Sequence, residues 1–298
     1  KNNKLRFILI VGVLTLVSYL VFFLSGLANG LENLNKEAVD KWKADGIILT
    51  DESDMTLSQS SMKIGEYDGE GADEFAVLLQ SNSIAKVDDL KANVALFGIR
   101  EDEFIMPEVS EGKGFSKTGD VIADYSLKED GFKIGDELSL SSTDTTLTIT
   151  GFTEEAKFNA APVLYGSLQT MQEVRFGEAA EENKDQINGI VIRTGNLEKV
   201  NVDESLRVIS TQTFIENLPG YSEQSLTLTF MIYFLFIISA VILAIFLYVL
   251  TIQKISIFGV MKAQGISNRY LSQSVIAQTF ILSLAGVIVG VILTLITG

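Results

Sequence analysis

The sequence predicts a membrane protein: an α-helical transmembrane bundle of three spans, with a large extracytoplasmic mixed α/β domain inserted between spans one and two. Three observations predict it. The apolar residues are gathered into three blocks without a single charge, at residues 7–31, 224–253 and 270–298. All 38 acidic residues fall between Glu32 and Glu223. The segments at 1–6 and 254–269 together hold six basic residues and no acidic one. A mean hydropathy of +0.29 and a net charge of −15 conceal this segregation.

Each apolar block exceeds the ~20 residues needed to cross a hydrocarbon core of ~30 Å. The first is too long for the core of a signal peptide and lacks a small-residue cleavage pattern after it. Lysine and arginine in short segments beside spans mark the cytoplasmic side. The expected topology is therefore a multi-pass protein of the cell (plasma) membrane, with its N-terminus and the 254–269 loop inside and residues 32–223 extracytoplasmic. There is no cysteine and no histidine. Disulfides, thiol catalysis and cysteine metal sites are excluded, and the commonest metal ligand and general base is missing.

The expected organisation follows the chain. Residues 1–30 form the cytoplasmic N-terminus and first span, and 31–45 a stalk helix continuing it. Leu27, Leu31, Leu34, Ala38 and Trp42 make an apolar stripe at helical spacing, opposite Glu32, Lys36, Asp40 and Lys43. This helix should stop near Ala44-Asp45-Gly46, where glycine permits the reversal and a strand begins. Residues 46–225 read as the α/β domain. Strands are expected at Phe75–Leu79, Val94–Ile99, Asp136–Leu140, Thr145–Phe152 and Gly189–Arg193, and helices opening on a capping hydroxyl at Ser167–Val174 and Thr211–Leu218. The second span occupies 226–252 and the third 271–298. Between them, at 253–270, apolar residues at 255, 258, 261 and 266 with basic neighbours predict an amphipathic helix at the inner membrane surface, ending at Gly265.

Several motifs carry less than they first suggest. Gly112-Lys-Gly-Phe-Ser-Lys-Thr118 imitates a phosphate-binding loop but has Ser116 where glycine is required. Glu66, Asp68, Glu70 and Gly71 imitate the front of a calcium loop whose closing position falls on Val77. Gly26 and Gly30, Ala240 and Ala244, and Gly286 and Gly290 place small residues four apart in the spans, which suits close helix packing either within the subunit or between two copies. Aromatic residues collect in the outer half of the second span, at Tyr221, Phe230, Tyr233, Phe234 and Phe236 with Met231 among them, at the level of Phe22 and Phe23. They read as an interfacial belt, or as a flat apolar pocket open to the outer leaflet.

The layout, together with Tyr248-Val-Leu-Thr-Ile-Gln-Lys-Ile-Ser256, Gly259-Val-Met-Lys-Ala-Gln-Gly265, Gly131-Phe-Lys-Ile-Gly-Asp-Glu-Leu138 and Leu147-Thr-Ile-Thr-Gly-Phe152, resembles the MacB/FtsX-type ABC transporter permeases. Phe23-Leu-Ser-Gly-Leu-Ala-Asn-Gly30 adds a likeness to their haem-exporting branch. The resemblance implies a non-catalytic permease subunit working as a homodimer in membrane lipid with two copies of a cytoplasmic ABC ATPase subunit, which binds the ATP. It implies no permanently bound cofactor, haem as the transported ligand, and no nucleic acid. Lys254, Ile255, Phe258, Gly259, Met261, Lys262 and Gly265 become the expected ATPase-coupling residues. Phe22, Asn29, Glu32, Tyr221, Phe230, Met231 and Tyr233 become the expected substrate-binding residues, with Glu32, Tyr221 or Met231 as iron ligand in the absence of histidine and cysteine. The family carries a fourth span after the third, so the sequence is expected to lack its C-terminal end. The rival readings are export of a peptide, lipid or drug, and mechanotransmission to a cell-wall enzyme. A membrane-anchored enzyme is disfavoured, because no nucleophile, base and orienting group occur at recognisable spacing.

Overall fold

The structure, a computed structural model, describes residues 2–297, except for the side chains at 2–7, 9, 10, 246, 247 and 250, on which the expectations for the basic N-terminus fall. The chain divides into a unit of residues 1–30 with 223–298 and a unit of residues 31–222.

Helix α1 runs Asn2–Lys41, followed by β1 Gly46–Thr50, β2 Met62–Lys63, β3 Glu74–Val87, β4 Leu90–Ile99, β5 Glu111–Gly112 and β6 Asp120–Asp124. Then come α2 Tyr125–Glu129, β7 Glu137–Leu140, β8 Thr143–Thr153, β9 Lys157–Phe158, β10 Ala161–Ser167, α3 Leu168–Phe176, β11 Gln186–Ile187, β12 Gly189–Arg193, β13 Leu206–Ser210 and α4 Thr211–Glu216. Three helices close the chain: α5 Tyr221–Gln253, α6 Ile255–Ala263 and α7 Asn268–Thr297.

The 31–222 unit is built on a mixed sheet in the order β13-β1-β12-β3-β4-β10-β6-β8-β5. Its central strands are apolar on both faces, because each face is covered. Val77 and Leu79 of β3 and Val94 and Leu96 of β4 join one core with Met171 and Val174 of α3, while Ala76, Leu78, Ala95 and Phe97 join another with Ala38, Val39 and Trp42 of α1. The stalk part of α1 is thus the cover of one sheet face. All five expected strands are present, although β3 and β4 extend well beyond the stretches predicted. The buried strand β10, which pairs parallel to β4 and antiparallel to β6, was not anticipated.

Local chemistry corrects three expectations. The stalk face that is buried carries Asn35, Ala38, Val39 and Trp42, whereas Leu27 is 46% exposed. Reversal after α1 falls to Lys43 at φ 47°, not to Gly46, which opens β1 where a Cβ would meet the Ile209 carbonyl at 2.6 Å. Helix α4 is capped by the Ser210 hydroxyl accepting from the Thr213 N–H, while Thr211 donates its hydroxyl to the Ala44 carbonyl.

Both ligand-loop mimics are turns. The Ser116 and Lys117 N–H groups, which a phosphate would need, both donate to Asp120 Oδ2 at 3.1 Å. Asp68 accepts from the Glu70 N–H and Glu70 from the Asn201 amide, each at 3.1 Å. The two family-like words of the domain also have local causes. Gly131 and Gly135 adopt φ of 106° and 95° in the turn before β7, and Gly151 stands where the β6–β8 register shifts, a Cβ there meeting the Lys113 carbonyl at 2.5 Å.

Candidate functional site

The segment between α5 and α7 is a short helix held at both ends. Helix α5 breaks at Lys254, whose backbone (φ −102°, ψ 3°) leaves the helical region before α6 restarts at Ile255. The Lys254 ammonium donates to Gln278 Oε1 of α7 at 2.6 Å. At the far end the Gly265 N–H donates to the Lys262 carbonyl and the Ile266 N–H to the Met261 carbonyl, with Gly265 at φ 89°. That pair of bonds is a Schellman stop, and glycine is favoured because the left-handed conformation penalises a Cβ. Ser267 then caps α7 by accepting from the Tyr270 N–H.

This geometry sorts the expected coupling residues into two groups. Lys254, Phe258 and Met261 are half-buried along the inner side of α6, whereas Ile255, Gly259 and Lys262 are exposed. Ile255 therefore does not share a face with Phe258 and Met261 as its spacing suggested. Ile257 and Val260, which the sequence reading left out, are 57% and 60% exposed and complete an outward apolar surface around Gly259, where a Cβ would meet nothing within 4 Å. Helix α6 is apolar on both sides, so the amphipathic expectation is replaced by a helix with two apolar faces and one charge, Lys262.

Within the span unit, Gly286 and Gly290 of α7 lie against α1, where a Cβ would stand 2.7 Å from that of Leu14 and 2.8 Å from that of Ser18. The small pair at Gly286 and Gly290 thus serves packing inside the subunit, while Gly26 and Gly30 face open space. A cleft of about 270 Å3 opens between α1, α5 and α7, lined by Val17, Ser18, Val21, Phe22, Phe236, Ser239 and Ser283 among others. It is smaller than the ~300–1,000 Å3 of drug-sized pockets.

Of the expected substrate residues only Phe22 lines this cleft. Phe230, Met231 and Tyr233 are 54%, 44% and 63% exposed, and Asn29 is exposed. Glu32 and Tyr221 belong to the 31–222 unit, where Tyr221 packs against the core that holds Ala38, Val39 and Trp42. Sequence reasoning missed the three serines. Their signal was the rarity of polar side chains in spans, and Ser283 Oγ is sealed with no hydrogen-bond partner among the described residues.

The stalk is tied into the rest of the 31–222 unit from its own backbone. The β9–β10 turn places Asn159 and Ala160 at φ 50° and 60°, and their N–H groups donate to the Asn35 and Leu34 carbonyls at 3.0 and 3.1 Å. The Lys157 N–H donates to Glu37 Oε2 at 3.2 Å, and the Lys41 ammonium to the Glu154 carbonyl. Trp42 then enters an aromatic cluster, with Phe97 and Phe214 each at 6.2 Å and Phe97 edge-on to Phe158 and Tyr165. Burial, then the Asp124 carboxylate, pushes the Tyr165 phenol above its ordinary range, keeping it protonated.

Residues 229–298 match the model of the FtsX-like permease C-terminal family. The chain is 24% identical over 292 residues to a putative hemin transport system permease protein HrtB of Staphylococcus haemolyticus, covering 97% of this chain and 80% of that protein. It is 25% identical over 299 residues to one of Staphylococcus epidermidis, covering 99% and 82%. Among solved structures, the extracellular domain of the noncanonic ABC-type transporter YknZ is 13% identical with a TM-score of 0.40, over 56% of this chain and 99% of that one. The periplasmic region of MacB from Actinobacillus actinomycetemcomitans is 14% identical with a TM-score of 0.40, over 59% and 94%. Residues 229–298 are thus similar to the C-terminal domain of FtsX-like permeases, and among the described residues three helices are long and apolar enough to cross a membrane.

Proposed function

We propose that this chain is the non-catalytic membrane subunit of an ATP-driven exporter, and that it moves haem out of the membrane as a homodimer served by two cytoplasmic ATPase subunits. The observation that carries the motor half of this reading is the outward surface of α6. Ile255, Ile257 and Val260 expose large apolar side chains around Gly259 on a helix fixed by Lys254 and the Gly265 turn, inside the region that matches the permease family. Exposed apolar surface on a pinned helix suits a partner that must push it. The charge asymmetry supports placing that helix in the cytoplasm and the 31–222 unit outside.

ATP binding to the partner would close the ATPase pair, move α6, and shift α1 and α5 at the outer leaflet. Such coupling requires the partner to bind the two states of α6 unequally. Haem as cargo is supported by the names of the staphylococcal relatives and by the exposed Phe230, Met231 and Tyr233 on α5. Glu32, Tyr221 or Met231 would meet the iron in transit. The apolar cleft at Phe22 favours one second reading, a lipid chain as the transported or bound group.

Two measurements test the proposal. The chain should co-purify with an ABC ATPase subunit and raise its turnover, and Gly259→Leu should abolish the increase; full stimulation in that variant would contradict the motor contact. Titration of the purified dimer with haem should give a saturable Soret shift that Met231→Ala and Tyr221→Phe weaken. No shift, with lipid retained in the cleft, favours the second reading.

A further inference from the structure

The outer unit holds a cavity of about 680 Å3 between the stalk part of α1 and the loop at 104–108, and the transport reading makes no use of it. Its volume lies within the ~300–1,000 Å3 of small-molecule sites. Phe104, Met106 and Pro107 give it an apolar shelf, and Tyr165 lines it from the core.

The charges around it are unequally engaged. The Arg193 guanidinium lies 4.0 Å over the Phe104 ring and donates to Glu74 and to the Lys43 and Trp42 carbonyls. Lys41 is held on the Glu154 carbonyl, Asp40 pairs with Lys36 at 3.0 Å, and Glu37 accepts from the Lys157 N–H. Among the described residues this leaves Glu108, Glu155 and Lys43 as cavity charges without a hydrogen bond or ion pair, an excess of carboxylate. A second observation points the same way. Tyr165 is 1% exposed, lines the cavity, and its hydroxyl has no hydrogen-bond partner among the described residues. Unlike the sealed Ser283 Oγ, this oxygen is not closed off from the cavity, so a ligand group filling the cavity can bond to it.

We propose that the cavity binds an organic cation, an ammonium or guanidinium group carried on an apolar body. The body would lie on Phe104, Met106 and Pro107, and the charged head would donate to Glu108, Glu155 and the Tyr165 oxygen. A metal ion fits less well, since no group of three or more acidic residues converges among the described residues. The negative field of a region holding all 38 acidic residues draws cations toward the site. One wall is the stalk and the facing wall the 104–108 loop, so an occupant would brace α1 against the domain. The site is independent of what the spans carry.

The test uses the full chain in lipid nanodiscs, titrated by calorimetry with 2-phenylethylammonium and with 2-phenylethanol, the same body without the charge. The amine should bind saturably and the alcohol should not. Glu108→Gln with Glu155→Gln, both exposed and replaceable without touching the core, should weaken the amine at least ten-fold. Glu181→Gln with Glu182→Gln on a different loop should leave it unchanged. Unaltered thermal unfolding of each variant secures the comparison. The proposal is overturned if the amine fails to bind, if the alcohol binds equally well, if the cavity pair has no effect, or if the distant pair weakens binding as much.

Discussion

A Cβ atom added to Gly290 of α7 would stand 2.8 Å from the Cβ of Ser18 on α1, and 3.0 Å from the Tyr19 nitrogen. Two helix backbones meet there with no room for a side chain between them. In a bilayer, where apolar surface gains nothing by leaving lipid, such contact is a main source of helix association. Gly290→Leu should therefore disrupt the span unit and sharply lower the yield of monodisperse protein in size-exclusion chromatography. Gly26→Leu, whose added atoms meet open space, should leave the subunit folded. A reduced dimer fraction in that variant alone would place the second copy at α1.

Gly259 and Gly265, in and just after α6, should separate stability from the proposed coupling function. Gly265 sits at φ 89° in a Schellman stop, so Gly265→Ala should cost about 1–2 kcal/mol of local stability, seen as faster hydrogen exchange at Ile266 and Ser267. Gly259 has ordinary helical surroundings and nothing near it. Gly259→Leu should change stability by no more than ~0.5 kcal/mol while removing ATPase stimulation.

Ala160 holds a left-handed conformation, at φ 60°, in the turn that docks the stalk. Relief of the Cβ clash, partly offset by the entropy of glycine, predicts that Ala160→Gly stabilises the 31–222 unit by roughly 0.5–1 kcal/mol in urea unfolding. A loss of stability would show that the methyl group packs usefully.

Glu103 gives a pH signature. Burial holds its carboxyl above the ordinary 4.5, against the lowering effects of the Val77 N–H and Arg100. A raised acid is bound more tightly as the neutral form in the fold, so its contribution is fully present below pH 4.5 and is lost as pH rises through the folded value. Glu103→Gln keeps an acceptor for the Val77 N–H, 2.8 Å away, and carries no charge to bury. Its melting temperature relative to the parent should therefore rise between pH 4 and pH 7, in ~1-unit steps monitored by scanning fluorimetry. Glu103→Ala should instead cost ~1–3 kcal/mol by orphaning that N–H group.

Much of the architecture was legible because it follows from single-residue transfer energies. Charge-free blocks gave the three long apolar helices, and the confinement of carboxylates gave the separate 31–222 unit. Strand β12 was readable to the residue, since Gly189 and Arg193 bound a run of three isoleucine and valine side chains buried from both faces. Strand β10 was hidden because Pro162 and Gly166 disguise it, and its pairing with β4 joins residues far apart in sequence. The site was less legible still. Spacing placed Ile255 with Phe258, but Ile255 is the first residue of α6 and is exposed while Phe258 is half-buried, a difference set by surroundings in space that spacing does not carry. The partner of Gly286 and Gly290 was open for the same reason, as a small face declares close approach without naming what approaches.

The central claim, that an internal motor pushes α6 while the acidic domain works outside, is tested most directly by sidedness. The absence of cysteine allows single reporters at Lys262→Cys and Glu182→Cys without further engineering. In intact cells, a membrane-impermeant maleimide should label the Glu182→Cys protein fully and the Lys262→Cys protein only after permeabilisation. Labelling of Lys262→Cys from outside, or protection of Glu182→Cys until the membrane is opened, would contradict the account.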